Sequence, residues 1–143
     1  MTDRKVALVT GAARGIGLAA SRKFLAEGYD VALLDIDGEA LKATVASLPA
    51  ERALALIHDV SDPGQCVSAV EACVARFGRL DALVNNAGVA VFKPAMETTF
   101  EEWSRVLAVN LTGPFIMTQA ASEHLFKTRG AVVNITSLSG QRG

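Results

Sequence analysis

The stretch Val6-Ala-Leu-Val-Thr10-Gly11-Ala-Ala-Arg14-Gly15-Ile-Gly17-Leu-Ala-Ala constrains this chain more than any other. A short apolar, β-branched run ends in a threonine. A turn with three glycines follows, and the chain then enters an amphipathic segment. The reading is a strand, a tight loop and the start of a helix. Such a junction suits an anion, because the first helical turn has N–H groups without intrahelical partners and the helix dipole favours negative charge there. Glycine admits positive φ and lets a phosphate approach where a Cβ would block it. The spacing is Gly-x-x-x-Gly-x-Gly, which is neither Gly-x-Gly-x-x-Gly nor the phosphate-loop pattern ending in Gly-Lys-Ser/Thr. Three glycines directly after a buried strand point to phosphate or dinucleotide binding.

The rest of the chain alternates in the same way. Strands are expected over residues 5–10, 30–35, 53–58, 80–85 and 131–136. Helices are expected over 15 to about 27, about 37–47, from a Ser61 or Asp62 cap to about 77, and from a Thr99 cap to about 126, broken at Gly113-Pro114. Helix-length connections between strands imply a parallel sheet with right-handed crossovers, covered on both faces. The fold class is therefore α/β, a doubly wound parallel sheet in three αβα layers. One domain is expected over 1–143, since 143 residues are one domain's worth of chain.

Composition narrows the function. Net charge is −1 with no basic block, so nucleic acid is not an expected partner. Apolar runs are short, far below the roughly 20 residues of a membrane span, so no membrane association is expected. Met-Thr-Asp-Arg-Lys does not resemble a signal peptide. Cys66 and Cys73 are seven apart in a helical segment, two turns or roughly 10 Å, too far for a disulfide. They read as small core residues of a cytoplasmic protein, and no metal site is expected.

Ligands of such sheets bind outside the carboxyl ends of the strands. Those ends read Thr10-Gly11, Asp35, Asp59, Asn85-Asn86 and Thr136-Ser137, while the opposite ends carry no comparable cluster. Asp35 lies 18 residues after Gly17, at the end of the second strand. An acid there accepts the hydroxyls of an adenosine ribose and repels a 2′-phosphate. Arg14, inside the glycine loop, pulls the other way. NAD is preferred on balance, with NADP as the alternative.

Taken together, Thr10-Gly11-x-x-x-Gly15-x-Gly17, Asp59-Val60, Asn85-Asn86-Ala87-Gly88, Asn110 and Ser137-x-x-Gly140 resemble the short-chain dehydrogenase/reductase family, in its order and along the whole chain. The resemblance implies a Rossmann-type sheet ordered 3-2-1-4-5-6-7, with strands 3-2-1-4-5 inside this chain. The cofactor residues it implies are Gly11, Arg14, Gly15, Ile16 and Gly17 in the loop, Asp35 and Ile36 after the second strand, Asp59 and Val60 at the adenine, and Asn86, Ala87 and Gly88 along the ribose and diphosphate. Ser137 would bond the substrate's reacting oxygen, and Asn110 would join it in a catalytic tetrad with a tyrosine and a lysine. The resemblance also suggests a homo-oligomer, a tetramer or dimer, packed through the helix from about Leu111 to Phe126.

Asn110 has support of its own. Pro114 has no N–H, and its ring crowds the carbonyl four residues back. A kink is expected there, with the Asn110 carbonyl freed to hold a water. The alternative is a plain kink with Asn110 as a helix cap.

One part of the family's pattern is absent. Its Tyr-x-x-x-Lys would follow Ser137 beyond Gly143, and the single tyrosine, Tyr29, falls in a turn at the opposite ends of the strands. The chain reads as the first part of a longer single-domain enzyme. Two functions stand: an NAD(P)-dependent oxidoreductase acting on an alcohol or carbonyl substrate, and a non-catalytic dinucleotide sensor or regulatory module. Ser137 favours the first, since a sensor needs no substrate-facing hydroxyl.

Overall fold

Each apolar run that ends in a small polar residue forms a strand of one parallel sheet. The computed structural model describes residues 3–138. The strands are β1 (Val6–Thr10), β2 (Asp30–Asp35), β3 (Ala53–Ile57), β4 (Ala82–Asn85) and β5 (Ala131–Asn134), in the order β3-β2-β1-β4-β5. Val6 faces Asp30 and Leu8 faces Leu83, so β1 is the central strand, and every residue of it is buried. That explains its unbroken apolar run.

Among the described residues the α-helices are α1 (Gly15–Ala26), α2 (Gly38–Ala46), α3 (Pro63–Phe77), α4 (Phe100–Leu107) and α5 (Gly113–Thr128), of which α1, α2, α3 and α5 pack on the sheet. Alternate strand residues feed two cores. Leu8, Leu34 and Leu83 pack with Cys66, Val70, Cys73 and Phe77 of α3 and with Met117 of α5. Val9, Leu33 and Val84 pack with Leu25 of α1 and Leu41 of α2. This is the three-layer αβα arrangement. Strand order reverses between β1 and β4, which opens a crevice at their carboxyl ends.

Local chemistry sets the helix ends. Asp62, not Ser61, caps α3, accepting from the Gln65 N–H at 3.0 Å, with Pro63 next. Thr99 and Glu102 form a reciprocal capping box on α4. The break expected at Gly113-Pro114 does not occur. α4 passes through a single π turn, Ala108–Thr112, directly into α5. The wider turn lets Gly113 N–H reach back to the Ala108 carbonyl, and Pro114 then stands in a first turn, where its missing N–H costs nothing. A Cβ on Gly113 would lie 2.9 Å from the Val60 carbonyl oxygen, so only glycine lets this helix start touch the loop after β3.

β4 begins two residues later than expected. The Asp81 carboxylate accepts the Val6 N–H at 2.8 Å while Asp81 N–H donates to the Val6 carbonyl at 2.8 Å, so a side chain takes one place in the ladder. Asp81 is itself held by Arg79 through two hydrogen bonds of 2.9 and 2.7 Å. Asp30, at the start of β2, has a side chain only 1% exposed and accepts from Arg4 Nε at 2.9 Å and Arg52 Nε at 3.3 Å. Arg52 also donates to the Leu25 and Tyr29 carbonyls. The amino ends of the strands thus carry a charged cluster that the sequence reading did not anticipate, and its role is structural.

Removing Asp30 leaves Arg52 facing backbone carbonyls without its counter-ion. Asp30→Ala is expected to cost about 2–3 kcal/mol, the scale of a lost charged hydrogen-bond pair, read as a lower urea midpoint.

Candidate functional site

The carboxyl ends of the strands meet over the crevice between β1 and β4. Gly11 and Arg14 of the glycine loop line it, and each glycine of the loop answers a different demand. Gly11 has φ +63°, and a Cβ on it would lie 2.8 Å from Ala87 Cα. Gly15 has φ +57° with nothing within 4 Å of its would-be Cβ, so its open side faces free space. Gly17 is a matter of packing: its Cβ would lie 2.2 Å from the Gly11 carbonyl oxygen. α1 starts after Arg14, whose extended backbone (φ −156°, ψ 179°) supplies no side-chain cap. The first turn of the helix therefore offers its N–H groups to the loop side.

The segment after β4 is locked onto this loop. Thr10 Oγ1 accepts both the Asn86 and the Ala87 N–H at 3.0 Å. Asn86 Nδ2 donates to the carbonyls of Thr10 (3.0 Å) and Gly11 (3.1 Å). The Asn86 amide is thus committed to the protein's own backbone. Asn110 performs a similar task from the π turn. Its Oδ1 accepts the Val89 N–H and its Nδ2 donates to the Val89 carbonyl, both at 2.8 Å. Its side chain thereby clamps the loop to the π turn.

Asp35 stands at the end of β2. One carboxylate oxygen accepts the Ala13 N–H and the other the Asp37 N–H, each at 3.0 Å. Four lone-pair directions minus two leaves acceptor capacity facing outward. Arg14 is paired with Asp37. At the end of β3, Asp59 Oδ1 accepts from the Ser61 N–H (2.9 Å) and the Ser61 hydroxyl (2.7 Å). Val60 beside it is buried.

A cavity of about 340 Å³ connects these groups, within the range of roughly 300–1,000 Å³ usual for small-molecule sites. Of the expected residues it gathers Gly11, Arg14, Asp35, Ile36, Asp59, Val60, Asn86, Ala87 and Gly88. Gly15, Ile16, Gly17 and Asn110 do not line it, and neither does Ser137, which follows β5 at the same strand ends. Gly140 lies outside the described residues. The sequence reading missed Leu34, His58, Arg105 and Val109 in the wall. The four-residue spacing of Arg105 and Val109 was the one available signal, a shared helix face.

A family model described as short chain dehydrogenase matches residues 5–143. The chain belongs to that family. It is 42% identical over 141 residues to the meso-2,3-butanediol dehydrogenase of Serratia marcescens, a match covering 99% of this chain and 56% of that protein. Among solved structures, a glucose/ribitol-type short-chain dehydrogenase/reductase from Brucella melitensis superposes with TM-score 0.93 at 35% identity, covering 97% of this chain and 59% of the other. A 3-ketoacyl-(acyl-carrier-protein) reductase from the same organism, complexed with NADH, gives TM-score 0.91 at 31% identity, covering 96% and 59%. The chain spans about half the length of the curated relatives it matches.

Among the described residues no helix is long and apolar enough to cross a membrane, and no group of metal-ligating side chains is present. Both cysteines are free and buried. Burial pushes the Cys66 thiol up to about 11, with the Asp62 and Asp59 charges adding to it, and the Cys73 thiol up to about 12. Thiolate is the reactive form. At pH 8 both are therefore expected to resist iodoacetamide in the folded protein and to react once it is unfolded in urea, as read by mass spectrometry.

Proposed function

We propose that this chain is the dinucleotide-binding part of an NAD(P)-dependent oxidoreductase that moves a hydride between a nicotinamide cofactor and a small alcohol or its carbonyl, with NAD preferred. The observation that carries the reading is the Asp35 carboxylate: it braces the glycine loop and β2 together and keeps outward acceptor capacity in the cavity wall. The remaining groups fit a dinucleotide. The open side of Gly15 and the uncapped start of α1 suit a diphosphate. Asp35 and Ile36 suit the adenosine ribose, Asp59 and Val60 the adenine, and Asn86, Ala87 and Gly88 the ribose and diphosphate side. Gly11, Ile16 and Gly17 shape the loop, and Arg14 flanks it.

The preference for NAD rests on two charges. A 2′-phosphate would meet the Asp35 carboxylate, and the Arg14 cation that could offset it is already paired with Asp37. NADP remains the weaker ligand of the same site.

When bound, the nicotinamide ring supplies the hydride acceptor or donor. The chain's own residues bind and orient. Asn110 fixes the loop at Val89. Ser137, at the end of the fifth strand, holds the substrate's reacting oxygen. Tyr29 does not supply the proton, because it packs on Phe24, 5.0 Å between ring centres, at the amino ends of the strands. We read the protein as cytoplasmic and as a homo-oligomer, a tetramer or dimer. The exposed Leu111, Phe115 and Phe126 on the π turn and α5 support a packed face there.

Titration calorimetry with the two cofactors tests the reading. NAD is expected to bind at least tenfold tighter than NADP, about 1.4 kcal/mol, and Asp35→Ala to narrow that gap. Equal or tighter NADP binding would overturn the preference, and binding of neither would overturn the dinucleotide site. In the full-length enzyme, Ser137→Ala is expected to lower kcat roughly a hundredfold or more, the scale of losing one transition-state hydrogen bond, with cofactor affinity nearly unchanged. Near-normal turnover would return Ser137 to a turn residue.

A further inference from the structure

We infer that Arg105 is a further cofactor-binding residue of this site, its guanidinium lying against the adenine base of the bound dinucleotide. The inference deepens the reading above and rests on it. Arg105 belongs to α4 and lines the cavity with Val109, four residues on. Its guanidinium has no hydrogen bond or ion pair among the described residues. The other cavity cation, Arg14, is paired with Asp37. Arg52 and Arg79, at the far ends of the strands, are held by Asp30 and Asp81. With no protein partner on the cavity wall, its donors and its planar face are available to a ligand there.

The surroundings define that ligand. Val60 and Val109 are almost wholly buried yet form cavity wall, and Ile36 adds an exposed apolar side chain to it. Two carboxylates, Asp35 and Asp59, line the same space. An anion beside Arg105 would also face those carboxylates. A neutral, flat, nitrogen-rich ring would not, and it would gain apolar contact from the valines. A planar guanidinium stacks on such a ring or donates to its acceptor nitrogens, which an ammonium does less well. An adenine base meets each of these conditions.

The test compares wild type, Arg105→Ala and Arg105→Lys by calorimetry with NAD and NADP, and with adenosine, which has no phosphate, through its competition with NAD. Circular dichroism checks that the variants are folded, as an exposed helical side chain predicts. Arg105→Ala is expected to weaken NAD, NADP and adenosine alike, about tenfold, the upper scale of cation–π contact. Arg105→Lys is expected to recover only part of the loss. Unchanged NAD and adenosine affinity in Arg105→Ala would overturn the inference while leaving the dinucleotide site intact. A loss confined to NADP would overturn it too, because the cation would then read the 2′-phosphate. Wild-type protein that binds no NAD would bring down both readings together.

Discussion

The carbonyl oxygen of Gly11 occupies the space that a side chain on Gly17 would need. That contact presses the first turn of α1 against the loop leaving β1. The same carbonyl receives the Asn86 amide, and the neighbouring Thr10 hydroxyl receives two backbone N–H groups from the segment after β4. One small region therefore fixes the end of a strand, the start of a helix and the loop of a second strand. No single bond there is strong, at about 0.5–1.5 kcal/mol net for a typical hydrogen bond. Their convergence is what makes the crevice wall rigid, since each bond is formed by groups the others have already ordered.

Most of the fold was legible because its signals are local. Alternating apolar runs and helical segments gave the parallel three-layer sheet, and the family resemblance gave its strand order. The end of α3 and the caps of α3 and α4 were readable because a cap is a matter of residue types three apart. The glycine loop and Asp35 were readable for a similar reason: each sits at a junction where backbone geometry restricts the choice of residue. The Gly113-Pro114 break misled, because a lost N–H can be absorbed by widening one turn as well as by ending a helix.

What the sequence hid depends on distant partners. Arg105 and Val109 enter the cavity wall beside Gly11, Asp35, Asp59 and Asn86, residues far from them in the chain, and their four-residue spacing marks only a shared helix face. The side chain of Asn110 makes a pair of bonds to Val89, 21 residues away, which no local signal announces. Asp30 read as a strand start and Asp81 as part of a strand. Asp30 holds Arg4, 26 residues away, and Asp81 holds Arg79 and the Val6 N–H, 75 residues away. Acidic residues at a strand start have a bland local explanation, which is why this cluster was overlooked.

The place of β1 in the sheet has a consequence for how the chain is made. β1 is among the first segments synthesised, and its N–H at Val6 waits for a carboxylate 75 residues later. At about 5–20 residues per second, that partner leaves the ribosome about 4–15 s after β1 does. β2 and β3 can pair in the meantime, but the other edge of β1 stays open, flanked by the side chains that end up most deeply buried. An open, apolar edge is the kind that joins other chains. The central strand that holds the finished sheet together is thus its most vulnerable part during synthesis, and β4 ends that exposure before any ligand is in play.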